Sequence, residues 1–150
     1  MAKIPENLHT PINTAYPDYT LLVGSVLSDG RAQISPRGSL YVYDSEHFAM
    51  WERGRGTTNE NLVDGSKLTI LYRNMSLQVD GPLPRGGIAR FFGTARLIKE
   101  GPLRDEIYNG IIKHEQGRDP EKKGFAVLIK VDIAEHITGD PLSEANPVKP

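Results

Sequence analysis

The chain has 150 residues, a length that suits one domain burying about 70% of the surface its unfolded form exposes. Hydrophobic residues make up 38% and charged residues 25%, which excludes collagenous, coiled-coil and low-hydrophobicity disordered chains. A net charge of −1 gives no field to hold a nucleic-acid backbone or an anionic membrane, and zero cysteines close disulfide, thiolate-zinc and cysteine-nucleophile chemistry.

In chain order, residues 1–19 carry Pro5, Pro11 and Pro17 with little periodicity and read as an irregular arm. They hold neither a signal-peptide core nor the start of a spanning run of ~20 apolar residues, so the sequence reads as that of a cytoplasmic protein. Residues 20–28 and 31–35 flank Asp29-Gly30, the dipeptide of a tight hairpin turn, and predict two paired strands. A third strand is expected at 40–43. The spacing of Phe48 and Trp51 predicts two turns of helix over 45–53, and Thr57-Thr58-Asn59-Glu60 matches a capping box opening a second short helix. Leu68, Ile70 and Tyr72 alternate with Lys67, Thr69 and Arg73, a strand. After a Gly- and Pro-rich loop over 80–87, alternation resumes over 90–98, with Phe91, Gly93 and Ala95 opposite Arg90, Thr94 and Arg96. Leu103, Ile107 and Ile111 at steps of four predict an amphipathic helix running to about 116, and Phe125, Val127, Ile129, Val131 and Ile133 predict a last strand. The body is thus 20–137 and residues 138–150 an extended tail. Strands in hairpin order with few helices imply a mainly β fold, an antiparallel Greek-key or split barrel with a helix packed on it.

No nucleophile elbow, Walker A loop or zincin motif is present, and His9, His47, His114 and His136 are scattered, so no metal site is expected. What stands out is a concentration of anion-binding groups in two turns, Ser35-Pro36-Arg37-Gly38-Ser39 and Arg53-Gly54-Arg55-Gly56-Thr57-Thr58. A phosphate ester is recognised by a guanidinium, short hydroxyls and free backbone N–H groups, and both turns offer these. Polar Gly-rich turns are also what ordinary solvated loops look like, and the residues alone leave both readings open. Phe48 and Trp51 are open in the same way, as core residues or as a cover over a ligand.

Those two turns, with Gly30-Arg31-Ala32-Gln33-Ile34-Ser35 before the first, Asn59-Glu60-Asn61-Leu62 after the second, and Arg90-Phe91-Phe92-Gly93-Thr94-Ala95-Arg96-Leu97, resemble the pyridoxamine 5′-phosphate oxidase-like family of FMN-binding split barrels. The likeness extends over about 21–137. It implies a six-stranded barrel of FMN-binding type, a homodimer with FMN in grooves between protomers, and a small organic substrate with NAD(P)H or oxygen as second reactant. Gln33, Ile34 and Ser35 would run beside the flavin ring and Arg37, Gly38 and Ser39 near the ribityl-phosphate. Thr57 and Thr58 would stand at the phosphate, Asn61 lies in the family's helix signature, and Arg55 of the second turn joins them as an expected cofactor-binding residue. The family also includes deazaflavin and haem binders, so a non-catalytic binding protein is the alternative to an FMN-dependent oxidoreductase. No catalytic residue is assigned, nor any nucleic-acid or membrane partner. On this reading, replacing Arg37 and Thr58 by alanine should weaken FMN binding without unfolding the chain.

Overall fold

A computed structural model describes residues 3–54 and 61–143. The Asp29-Gly30 turn joins β1 (Leu22–Val26) to β2 (Ala32–Pro36), with Gly30 at the positive φ such a turn requires. β3 (Tyr41–Asp44), β4 (His47–Glu52), β5 (Lys67–Arg73), β6 (Ile88–Ile98) and β7 (Phe125–His136) complete one antiparallel sheet in the order β2-β1-β5-β6-β7-β4-β3.

The sheet has seven strands, not the six expected, and the added one is β4, where spacing predicted a helix. β4 lies between β3 and β7 and is covered on both faces: Phe48 and Met50 enter the main core, while Ala49 and Trp51 pack with Ile107 and Tyr108. A strand buried on both sides shows no alternation, so its apolar run is easily mistaken for a helix turn.

The two edge strands are close in sequence, and this fixes the shape of the sheet. Laid flat, seven strands at about 4.8 Å spacing would set β2 and β3 about 29 Å apart. Only Arg37 to Leu40 separate Pro36 from Tyr41, a reach of at most about 17 Å. The sheet therefore curls until its edges approach, without a ladder joining them among the described residues. The result is an open, split barrel around Val23, Leu68, Ile70, Tyr72, Phe91 and Ile129, each at most 2% exposed.

The N-terminal segment is more regular than expected and belongs to this core. A 3-10 turn (Glu6–Leu8) leads into α1 (His9–Asn13), and Ile4, Leu8, Ile12 and Ala15 are buried in the same cluster as Phe48 and Phe91. Pro11 sits in the first turn of α1, where a missing N–H costs nothing. Asn13 Oδ1 accepts from the Val42 N–H at 2.7 Å, fixing α1 to β3. The expected helix to 116 divides into α2 (Pro102–Gly110) and α3 (Lys113–Gln116); at Gly110 a side chain would strike the Tyr41 hydroxyl. Among the described residues no helix is long and apolar enough to cross a membrane.

β7 ends at His136, and the chain then folds back, with His136 N–H donating to Asp140 O at 2.8 Å and Arg85 paired to Asp140. His136 is 1% exposed and its Nδ1 has no partner among the described residues. Burial, and then the Arg85 guanidinium, push its imidazole below the ordinary histidine value of 6.5, with Asp140 opposing. The unfolded histidine takes up a proton near pH 6.5 while the folded one resists until lower pH, so this contribution to stability is intact at neutral pH and is lost as pH falls below about 6.5. The urea midpoint should therefore be lower at about pH 5.5 than at about pH 7.5, and His136→Gln should flatten that difference. An unchanged wild-type midpoint over this range would contradict the assignment.

Candidate functional site

The first of the two turns singled out in the sequence packs against the end of β4. Arg37 Nη1 lies 3.0 Å from Glu52 Oε2, a carboxylate whose side chain is 2% exposed. Ser39 Oγ accepts from Trp51 N–H at 3.1 Å and donates to Trp51 O at 3.2 Å. Gly38 is wedged between the Tyr16 ring and the Glu115 carboxylate; a Cβ there would stand 3.3 Å from each. Arg37, Gly38 and Ser39 of the first turn are thus each engaged within the chain. Arg55, Thr57 and Thr58 lie outside the described residues.

The flanks of that second turn are nonetheless placed. Gly54 lies two residues past the end of β4, whose Glu52 pairs with Arg37 just past the end of β2. Asn61 Oδ1 accepts from Ser28 N–H at 2.7 Å, at the other end of the β1–β2 hairpin. Glu52 and Asn61 thus stand near opposite ends of the edge strand that carries Gln33, Ile34 and Ser35.

The end of β4 is held rigidly. Trp51 Nε1 donates to Asp119 Oδ2 at 2.7 Å, and Asp119 also accepts from the N–H groups of Lys123 and Gly124. Burial pushes the Asp119 carboxyl up, but these bonds and the nearby Arg104 outweigh it and hold the group below the usual carboxylate range. Arg104 stacks 4.9 Å over the Trp51 ring, and Tyr108 meets it edge-on at 4.9 Å.

Alternation along β1 and β2 sends Val23, Ser25, Gln33 and Ser35 to one side and Leu22, Val26, Ala32 and Ile34 to the other. The second set faces outward over a groove of about 510 Å³ with Leu71 and Phe92 as further apolar walls and Lys67, Arg90 and Asp132 as charged ones. Val26 is 61% and Ile34 68% exposed. A smaller hollow of about 280 Å³ between Ser25, Asn61, Ser66 and Lys67 shares Ser25, Val26 and Lys67 with the groove. Ser25 Oγ is buried without a partner among the described residues.

Of the expected site residues, Ile34 lines the groove and Asn61 its polar end, while Gln33 and Ser35 sit on the same edge strand facing inward. Arg37, Gly38 and Ser39 surround a separate small hollow of about 90 Å³. Sequence reasoning passed over Lys67, Thr69 and Asp132. The signal available was the outward half of each alternating strand, which on β1, β2 and β5 carries Leu22, Val26, Ile34 and Leu71 where a solvated face would be polar. A larger hollow of about 920 Å³, between Ile4, His9, Ile133 and Leu142, touches none of residues 33–39 or 61. Among the described residues no group of His, Asp and Glu could hold a metal.

No protein-family model and no curated protein matches the sequence. Solved structures do. HupZ from Group A Streptococcus aligns at a TM-score of 0.66 and 24% identity over 93% of this chain and 98% of its own. A Lactobacillus delbrueckii protein described as a candidate pyridoxamine 5′-phosphate oxidase aligns at 0.61 and 20% identity, covering 90% and 99%. An FMN-binding protein from Syntrophomonas wolfei aligns at 0.57 and 15% identity, covering 87% and 83%. The curled antiparallel sheet with its helices is the split β-barrel these proteins share. In its fold the chain is similar to pyridoxamine 5′-phosphate oxidase-like proteins.

Proposed function

We propose that the chain binds FMN in the outward groove of β2, β1, β5 and β6, as a homodimer whose second copy covers that groove, and acts as an oxidoreductase on a small organic substrate. The observation that carries this reading is the apolar outer face on an edge of the sheet, with Val26 and Ile34 more than half exposed and a polar hollow at one end. Such a face is seldom left to water, and its chemistry suits a flat aromatic ring with a polar tail. Bound FMN would supply two-electron chemistry; the chain supplies the seat and its charges. Ile34, Leu71 and Phe92 would hold the ring, and Ser25, Ser66 and Asn61 would receive the polar tail together with the expected donors Arg55, Thr57 and Thr58. Arg37, Gly38 and Ser39, just past the end of the same edge strand, remain the expected contacts of the ribityl-phosphate, with Arg37 also paired to Glu52 and Ser39 bonded to Trp51.

FMN added to the purified chain should lose its fluorescence on binding, and the complex should sediment as a dimer. Ile34→Asp should yield a monomer that binds FMN at least about tenfold more weakly, since it sets a charge in the covered face. A wild-type chain that neither binds FMN nor dimerises would overturn the reading. Anaerobic bleaching of the bound flavin by NADH or NADPH supports the oxidoreductase, whereas a tightly held, unreactive flavin marks a binding protein instead.

A further inference from the structure

Asp132 owes its position to a break in the β6–β7 ladder. Phe92 pairs with Ile133 and Gly93 with Val131, so Asp132 is one extra residue on β7, a β-bulge. The bulge requires glycine opposite it: a Cβ on Gly93 would stand 2.5 Å from Ile129 Cγ2 and 2.8 Å from Lys130 O. Thr94 Oγ1 donates to Asp132 Oδ2 at 2.6 Å, and Lys67 Nζ donates to Thr94 Oγ1 at 2.8 Å. An ammonium only donates and an ionised carboxylate only accepts, so the single threonine proton has one place to go and the line from β5 through β6 to β7 has a fixed direction. Lys67 and Asp132 both line the groove, and Lys67 also borders the polar hollow. An ordinary exposed ion pair contributes little to stability and needs neither a bulge nor an obligatory glycine, whereas bulges commonly re-aim side chains beside functional sites.

We infer that Lys67, oriented by Thr94 and Asp132, is the polar anchor of the groove: it presents its remaining N–H donors and its charge to the electron-rich carbonyl edge of the ring seated there. This rests on the flavin reading and adds to it the residue that holds the ring's polar edge. Because negative charge on the ring rises on reduction, an ammonium at that edge favours the reduced form. Thr94 and Asp132 are positioning residues that act through Lys67.

The test uses the full chain with FMN, comparing wild type with K67M, K67R and T94V by FMN affinity and by the midpoint potential of the bound flavin. Lys67 is exposed, and T94V offers a second variant should K67M fold poorly. Loss of one charged hydrogen bond should weaken the preference for reduced over oxidised flavin about tenfold in K67M, which a two-electron couple reads as a potential about 30 mV lower. T94V should shift the potential in the same direction by less, and K67R, which keeps the charge, should recover most of it. K67M that binds FMN with wild-type affinity and potential would overturn the inference and leave the flavin reading standing. A wild-type chain that does not bind FMN would overturn both.

Discussion

Arg37→Ala is expected to destabilise the fold by about 3 kcal/mol or more, because it leaves the Glu52 carboxylate buried without its counter-charge. Glu52 is 1% exposed, in the last position of β4, and among the described residues its Oε2 makes no hydrogen bond despite lying 3.0 Å from Arg37 Nη1. The pair is thus held by charge alone, and removing one charge strands the other in a medium that cannot solvate it. Replacing both residues by methionine should restore most of the loss, since a buried ion pair exchanged for apolar side chains of similar volume is often neutral. Urea denaturation at neutral pH decides the matter; an Arg37→Ala variant within about 1 kcal/mol of wild type would show the pair to be no more than a surface contact. The same result would return Arg37 to the role expected from sequence, in which its loss weakens FMN binding and spares the fold.

Gly124→Ala should be comparably damaging. Gly124 donates to Asp119 Oδ2 at 2.9 Å and its carbonyl accepts from Arg104 Nη2 at 3.0 Å. A Cβ there would strike the Glu52 carbonyl and stand 2.9 Å from Trp51 Nε1. One of those obstacles is backbone at the last rung of the β4–β7 ladder, so a methyl group enters only by prying the end of β4 from the start of β7. A cost of about 3 kcal/mol is expected, which in a chain of this size lowers Tm by roughly 10 °C. Trp51 is the single tryptophan and 3% exposed, so its emission should move to longer wavelength in the variant. FMN affinity should fall with it, because the connection from Gly54 to Asn61 departs from this point. Wild-type emission and Tm together would contradict the steric argument.

Where one face of a strand meets the core and the other does not, the sequence was legible. β5 showed its period of two, β6 and β7 did the same, and Asp29-Gly30 marked the hairpin. β4 was not legible, because burial on both faces erased the alternation and left Phe48 and Trp51 at a spacing a helix also has. How deeply the N-terminal segment packs was not legible for a related reason: Ile4, Leu8 and Ile12 are buried against strands that come much later in the chain, and no local pattern announces that. In the site, Ile34 lines the outward groove and Asn61 the hollow beside it, while most of the second Gly-rich turn lies outside the described residues. Motif reading could not see that Arg37 already has a partner, because Glu52 was placed on a helix. Nor could it see Asp132 beside Thr94, because a one-residue bulge changes which side chain points outward and leaves no trace in the alternation of β7.

A crystal structure of the chain saturated with FMN tests the central claim most directly. The ring should lie against Val26, Ile34 and Phe92 with its polar edge toward Lys67, under a second copy of the chain related by a twofold axis. A flavin lodged instead between Ile4, His9 and Leu142, or a bare groove facing solvent at saturating FMN, would contradict it.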